Sequence, residues 1–458
     1  MSKTLSFGPM VAALALTLST LATAAPADSG VAAPLPDMGK LFSWTEAERV
    51  VGFSHTAELV PSEPFVRSSA ALPLPAASAE LKAKAQGLSY QYGSNPDGSL
   101  RKNNSVDDYM AHNQVTGLLV LKNGAIVMER YAMGIDEHSV WDSKSVGKSV
   151  VSTLFGVALR EGAIHSLDDS VERYVPELAN SAYQGVKLRD MLQMASGVAW
   201  NENYTDPQSD IAAMLACTKQ EAPNCILDLL KNEPRDWNAR TDRPTRPGDR
   251  WNYSSGEAWL TGLVVQRATG QSLSKYLESK IWQPLGMEAD GLWMTDRNGV
   301  SFGGGAFNAT LRDYGRMGQF ILNDGVLPDG RKLLPDHWVN DATRWTRAST
   351  LPGGDGQGIY GYMFWRGLSY EDGSNHPGPM TVKVQGQSDP VSDATFMALG
   401  VFGQMIAVNQ PEKLVVVEWS VWDKPDPSCC DAKDPEYVAN NPWNEQATFV
   451  NALTQALH

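Results

Sequence analysis

The chain has 458 residues, 52 acidic against 38 basic, a formal net charge of −14 and four cysteines. An acidic balance of that size offers no basic face for a phosphate backbone, which excludes nucleic-acid binding as the main activity. Hydrophobic residues make up 42% and charged residues 20%, an ordinary globular composition with chain enough for two or three domains or one large composite fold.

Residues 1–25 read as a secretory signal peptide and not as part of the fold. Lys3 stands near the start, an apolar run extends from Phe7 to Leu18, and Ala22-Thr23-Ala24 precedes Pro26. That run is too short for a membrane span, and no other stretch reaches the required length. Export to the periplasm or beyond is therefore expected, and four cysteines suit an oxidising compartment. Cys217 and Cys225 bracket a short loop that a disulfide could close, while Cys429 and Cys430 are adjacent. Four cysteines allow three pairings, and spacing does not choose among them. They have no C-x-x-C pattern, and the seven histidines show no metal spacing. Neither a metal nor a cofactor is expected.

Residues 26–100 are rich in Pro, Ala and Ser, with a short helix expected at Thr45–Val51, and read as an N-terminal extension packed over the main body. Two strands, Gly117–Leu121 and Ala125–Tyr131, flank Lys122-Asn123-Gly124, where Asn-Gly suits a hairpin turn needing positive φ. A helix follows Ser145, with Val150, Val151, Leu154, Phe155, Val157, Ala158 and Leu159 at helical spacing and Gly162 to stop it. Residues 163–299 become a run of helices with Asp or Ser starts and Gly ends, a helical domain inserted between 101–162 and 300–458. A helix at Leu311–Leu322, another beginning at Pro335–Asn340, strands at Thr395–Val408 and Leu414–Trp422, and a helix at Glu445–Leu457 complete the chain. Strands at both ends with helices between them predict an α/β fold. Its mainly antiparallel sheet is flanked by helices, and the cleft lies where the helical block meets the sheet.

The chemistry-bearing stretch is Ser145-Val146-Gly147-Lys148. At that spacing the two polar side chains share one helix face, about a turn apart. A serine hydroxyl is a weak nucleophile until a base takes its proton, and a desolvated lysine amine can do so. The helix N-terminus adds partial positive charge where an oxyanion would form. The alternative is plain: Ser145 caps the helix and Lys148 is solvated. Tyr253, in Trp251-Asn252-Tyr253-Ser254-Ser255 ahead of a helix, could share the proton traffic; otherwise it packs on that helix. Within the run Ala398-Leu399-Gly400-Val401-Phe402-Gly403-Gln404, read as strand, the glycines suggest close approach of a ligand, and the N–H groups of Val401 and Ser145 could form an oxyanion hole. A bulged strand is the alternative there. Two lookalikes fail. Gly147-Lys148-Ser149 lacks the phosphate-loop glycine, because Asp142 stands there. Gly299-Val300-Ser301-Phe302-Gly303 follows polar residues and not the buried strand a nucleophile elbow needs.

Together these motifs resemble the serine β-lactamase-like hydrolases. The residues that carry the likeness are Ser145 and Lys148, Trp200-Asn201-Glu202-Asn203-Tyr204-Thr205-Asp206-Pro207, Tyr253-Ser254-Ser255, Arg312-Asp313, and Phe402-Gly403-Gln404 running on to Trp419-Ser420-Val421-Trp422. That family has a β-lactamase/transpeptidase-like fold and includes class C β-lactamases, D-Ala-D-Ala carboxypeptidases, esterases and 6-aminohexanoate-dimer hydrolases, the branch this chain resembles most. The resemblance implies Ser145 as nucleophile, Lys148 as general base, Tyr253 as proton relay, and Ser145 and Val401 as the oxyanion hole. Tyr204, Gly400 and Phe402 would meet a small ester or amide substrate. A penicillin-recognising carboxypeptidase or class C-like β-lactamase is the second reading, and a non-catalytic binding protein the third. Two positions depart from the pattern: Gly400-Val401-Phe402-Gly403 stands in place of a K-T-G triad, and Leu215 stands where an acidic residue would meet an ammonium substrate.

Overall fold

The computed structural model describes residues 34–95, 97–99, 101–220, 222–239, 241–344, 360–366, 395–426 and 440–458. The expected signal peptide and the Cys429-Cys430 pair lie outside the described residues.

Turn chemistry sets the strands. After β1 (Ser62–Phe65), strands β2 (Val115–Lys122) and β3 (Ala125–Tyr131) form the expected hairpin, with Asn123 and Gly124 at φ 53° and 77°. Such left-handed residues match the twist of the flanking strands. β2 is buried along its whole length, as a strand covered on both faces should be. Short strands follow: β4 (Trp141–Asp142), β5 (Trp237–Asn238), β6 (Arg243–Pro244), β7 (Gly291–Met294), β8 (Phe307–Ala309) and β9 (Trp365–Arg366). The chain then forms β10 (Thr395–Gly400), β11 (Gln404–Asn409) and β12 (Leu414–Ser420). The main sheet runs β3-β2-β12-β11-β10-β9, every neighbouring pair antiparallel, so early and late chain meet where Val120 faces Val416.

Two strand expectations need correction. Thr395–Val408 is not one strand but β10 and β11, joined by Val401-Phe402-Gly403 with Phe402 at φ 63° and Gly403 at φ 88°. Apolar Val401 and Phe402 read as strand residues, yet Phe402 is apolar because its ring is buried 5.5 Å from that of Phe53. The stretch 163–299 also contains β7, which lies in a second antiparallel sheet of order β1-β7-β8-β4. A strand of four residues is too short to announce itself among helices.

Helices cover the main sheet on both faces. α1 (Glu46–Ser54) carries a reciprocal cap between Thr45 and Glu48, and α2 (Val106–His112) a similar one between Ser105 and Asp108. α3 (Val146–Arg160) is stopped by Gly162 at φ 79°. α4 (Asp210–Cys217), α5 (Ser255–Thr269), α6 (Leu311–Leu322) and α7 (Pro442–Ala456) follow. Leu119, Leu121, Val415 and Val417 point into a core shared with α3, α5 and α6, while Leu118, Val120 and Val416 point into a second core with α2 and α7. That alternation is the strand period at work. Cys217 at the end of α4 is bonded to Cys225. Leu35–His458 forms one compact unit.

Candidate active site

Ser145 owes its place to a short crossover between strand and helix. Trp141 of β4 pairs with Ala309 of β8, and the Ser143 N–H donates to the Phe307 carbonyl at 2.8 Å. Lys144 then turns the chain at φ 47°, its N–H donating to Asp142 Oδ1 at 2.9 Å. Ser145 comes next, immediately before α3, with no capping hydrogen bond from its side chain. The hydroxyl instead accepts from Lys148 Nζ at 2.8 Å. Lys148 is not solvated: it is 1% exposed and also donates to the Gly304 carbonyl at 2.5 Å. Burial pushes its amine down to about 8, against an upward pull from the Glu202 carboxylate.

Tyr253 arrives from the segment before α5, and its ring centroid lies 5.2 Å from Lys148 Nζ. Burial holds its phenol well above the ordinary value; Glu202 adds to the rise, and hydrogen bonding to Ser145 opposes it. Two side chains a helix turn apart thus meet a third from about a hundred residues on. A neutral amine beside a hydroxyl can take its proton, and a phenol at the same point can pass one on.

Gly400 brings the end of β10 against the start of α3. A Cβ there would lie 2.6 Å from Ser143 O and 3.0 Å from Ser145 N, so only glycine fits. Val401 consequently lines the same cleft as Ser145, and neither N–H donates to a partner among the described residues. Phe402 corrects an expectation. It is fully buried, packs near Phe53 and Arg49 at a positive φ, and is not among the residues lining the cleft. Tyr204 does line the cleft, donating to Glu202 Oε1 at 3.0 Å.

Glu202 is the residue that sequence reasoning passed over. Its carboxylate accepts from Ser255 N at 2.9 Å, Ser255 Oγ at 2.5 Å, Tyr204 and Trp200, which places a negative charge at the N-terminus of α5. The signal was present inside the run Trp200–Pro207, where attention went to Tyr204. Gly304, whose carbonyl anchors Lys148, was missed for a different reason: only its backbone acts. Ser301 has a structural part, accepting from the Leu273 N–H at 3.3 Å while fully buried. Among the described residues no group of three His, Cys, Asp or Glu side chains is placed to hold a metal, and no helix is long and apolar enough to cross a membrane.

Known proteins share this arrangement of elements. A family model described as Beta-lactamase matches residues 103–434. The chain belongs to the β-lactamase family. These are β-lactamase-like serine hydrolases, and the chain has their α/β fold. It is 26% identical over 395 residues to the 6-aminohexanoate-dimer hydrolase of Paenarthrobacter ureafaciens, covering 84% of this chain and 89% of that one. A solved structure of a candidate 6-aminohexanoate-dimer hydrolase from Bacillus anthracis superposes with a TM-score of 0.67 at 21% identity, over 88% of this chain and 97% of that one. A class C β-lactamase superposes at 0.52 with 18% identity, over 83% and 97%.

Proposed function

We propose that this protein is an exported serine hydrolase that cleaves small esters or amides through an acyl-enzyme on Ser145. The observation that carries the reading is the 2.8 Å contact from a buried Lys148 amine to the Ser145 hydroxyl. The neutral amine takes the hydroxyl proton as Oγ bonds to the substrate carbonyl carbon. The carbonyl oxygen, now anionic, lies between the N–H groups of Ser145 and Val401. Lys148 and Tyr253 return the proton to the leaving oxygen or nitrogen as its bond to carbon breaks. Water then adds to the acyl carbon by the same route, and Ser145 regains its proton. Export is supported by the pattern of residues 1–25 and by the Cys217–Cys225 bond.

Ser145→Ala should lower p-nitrophenyl ester hydrolysis by about 10⁴-fold or more with the melting temperature unchanged. Ser301→Ala, in contrast, should keep the chemistry. The reverse outcome would remove Ser145 from the mechanism. A stable mass increase on Ser145 after exposure to a β-lactam would favour the penicillin-recognising reading instead.

A further inference from the structure

A cleft open to solvent lies beside Ser145, which is one of its lining residues. Ser145, Ser255 and Tyr204 contribute polar groups to its lining. Much of its apolar lining comes from three distant parts of the chain. Met38, Leu41 and Phe42 belong to a 3₁₀ turn (Met38–Ser43), Ile211 and Leu215 to α4, and Phe302 to the loop after β7. The turn is held in place. Gly39 N–H donates to Asp37 Oδ1 at 2.8 Å, Trp44 Nε1 donates to the Asp37 carbonyl at 2.8 Å, and the Phe42 ring sits 5.2 Å from that of Tyr204.

Two charged side chains, Asp142 and Lys144, also line the cleft, and they neutralise each other at 2.7 Å while Lys144 Nζ rests 3.8 Å over the Phe53 ring. Neither is free to bind a charged group of a ligand. A cleft with mostly apolar walls, a few polar groups and one internally neutralised charge pair suits an uncharged chain. A carboxylate or ammonium placed there would be desolvated without a partner.

We propose that this cleft holds one neutral aliphatic arm of the substrate, and that the Met38–Ser43 turn forms part of its wall. The inference rests on the hydrolase reading and adds the substrate class. The arm belongs to the acyl group or to the leaving alcohol, and the experiment separates the two. Wild-type enzyme is assayed on p-nitrophenyl esters from acetate to octanoate, and in parallel on acetate esters of alcohols of the same lengths. In one series kcat/KM should rise roughly threefold per added methylene up to about six carbons, as burial of apolar surface requires. An ω-ammonium or ω-carboxylate analogue of the best substrate should be slower by about tenfold or more. Phe42→Ala, and separately Ile211→Ala, should lower the ratio of hexanoate-length to acetate-length rates by about threefold to tenfold. The ratio corrects for any general loss of folded enzyme. Flat profiles in both series, a preference for a charged tail, or unchanged ratios in both variants would overturn the inference while Ser145-dependent turnover of the acetate ester still stands. Absence of any turnover would instead strike the hydrolase reading.

Discussion

Lys148 makes two hydrogen bonds, and they make different demands. The Gly304 carbonyl accepts from the amine in either charge state, whereas Ser145 can give its proton only to the neutral form. With the amine at about 8, the active form is lost as pH falls, so kcat/KM for an ester should drop tenfold per unit below that value and level off above it. A pH–rate profile measures this directly, and a midpoint near 6.5 would implicate a histidine in place of Lys148. Because the Glu202 charge holds the amine up, Glu202→Gln should move the midpoint downward, on the order of half to one unit. The pair itself was legible from spacing and a helix start. The buried state of Lys148 was not, because the carbonyl that accepts from it belongs to the Gly303-Gly304-Gly305 loop, more than 150 residues on. Glu202 was harder still: its partners Ser255, Tyr204 and Trp200 are assembled only by the fold.

At the scale of elements, the β10–β11 turn decides whether two N–H groups face one cleft. Gly400→Ala should force its neighbours to shift, since the atoms in the way are Ser143 and Ser145 backbone and cannot swing aside. We expect kcat to fall by about 10²–10³, the loss typical of one oxyanion donor, with KM changing far less. Gly330→Ala, at φ 85° with no heavy atom within 4 Å, is the comparison: about 1 kcal/mol of stability lost and kinetics unmoved. Equal kcat values for the two variants would deny Gly400 its special place. The element boundaries show where sequence is informative. Leu311–Leu322 matches α6 residue for residue, since its apolar positions keep a helical period and Thr310 caps it. The β10–β11 turn escaped although Gly403 at φ 88° is a turn signal, because apolar Val401 and Phe402 read as strand and the glycines read as close approach of a ligand. β4, β7 and β8, of two to four residues, are too short to show alternation, although β4 and β8 position Ser145.

At the scale of the whole molecule, one buried carboxylate ties together segments from opposite ends of the chain. Glu418 of β12 is fully buried and accepts from Tyr109 of α2, from Ser420 at 2.7 Å and from Gln446 of α7 at 2.8 Å. Beside it, Glu445 accepts from Tyr90 at 2.7 Å and contacts His112 Nδ1 at 3.3 Å. No local pattern could have disclosed this cluster, because each member is ordinary in its own stretch. Burial pushes Glu418 up to about 7, with the three donors opposing. A raised carboxyl value means the folded state keeps a proton that the unfolded chain sheds near pH 4.3. The Glu418 contribution to stability should therefore fall as pH rises from about 4.3 to 7, by as much as about 4 kcal/mol, and then stay level. Glu257 on α5, pushed by burial to about 8 against its Ser196 hydrogen bond, extends the same trend slightly further. Glu418→Gln keeps the shape without the titration. Melting curves of variant and wild type should then diverge with pH, the variant gaining a few degrees on wild type between pH 5 and pH 8. A constant offset across that range would mean that Glu418 carries the same charge at both ends of it, and that the cluster holds its segments together independently of pH.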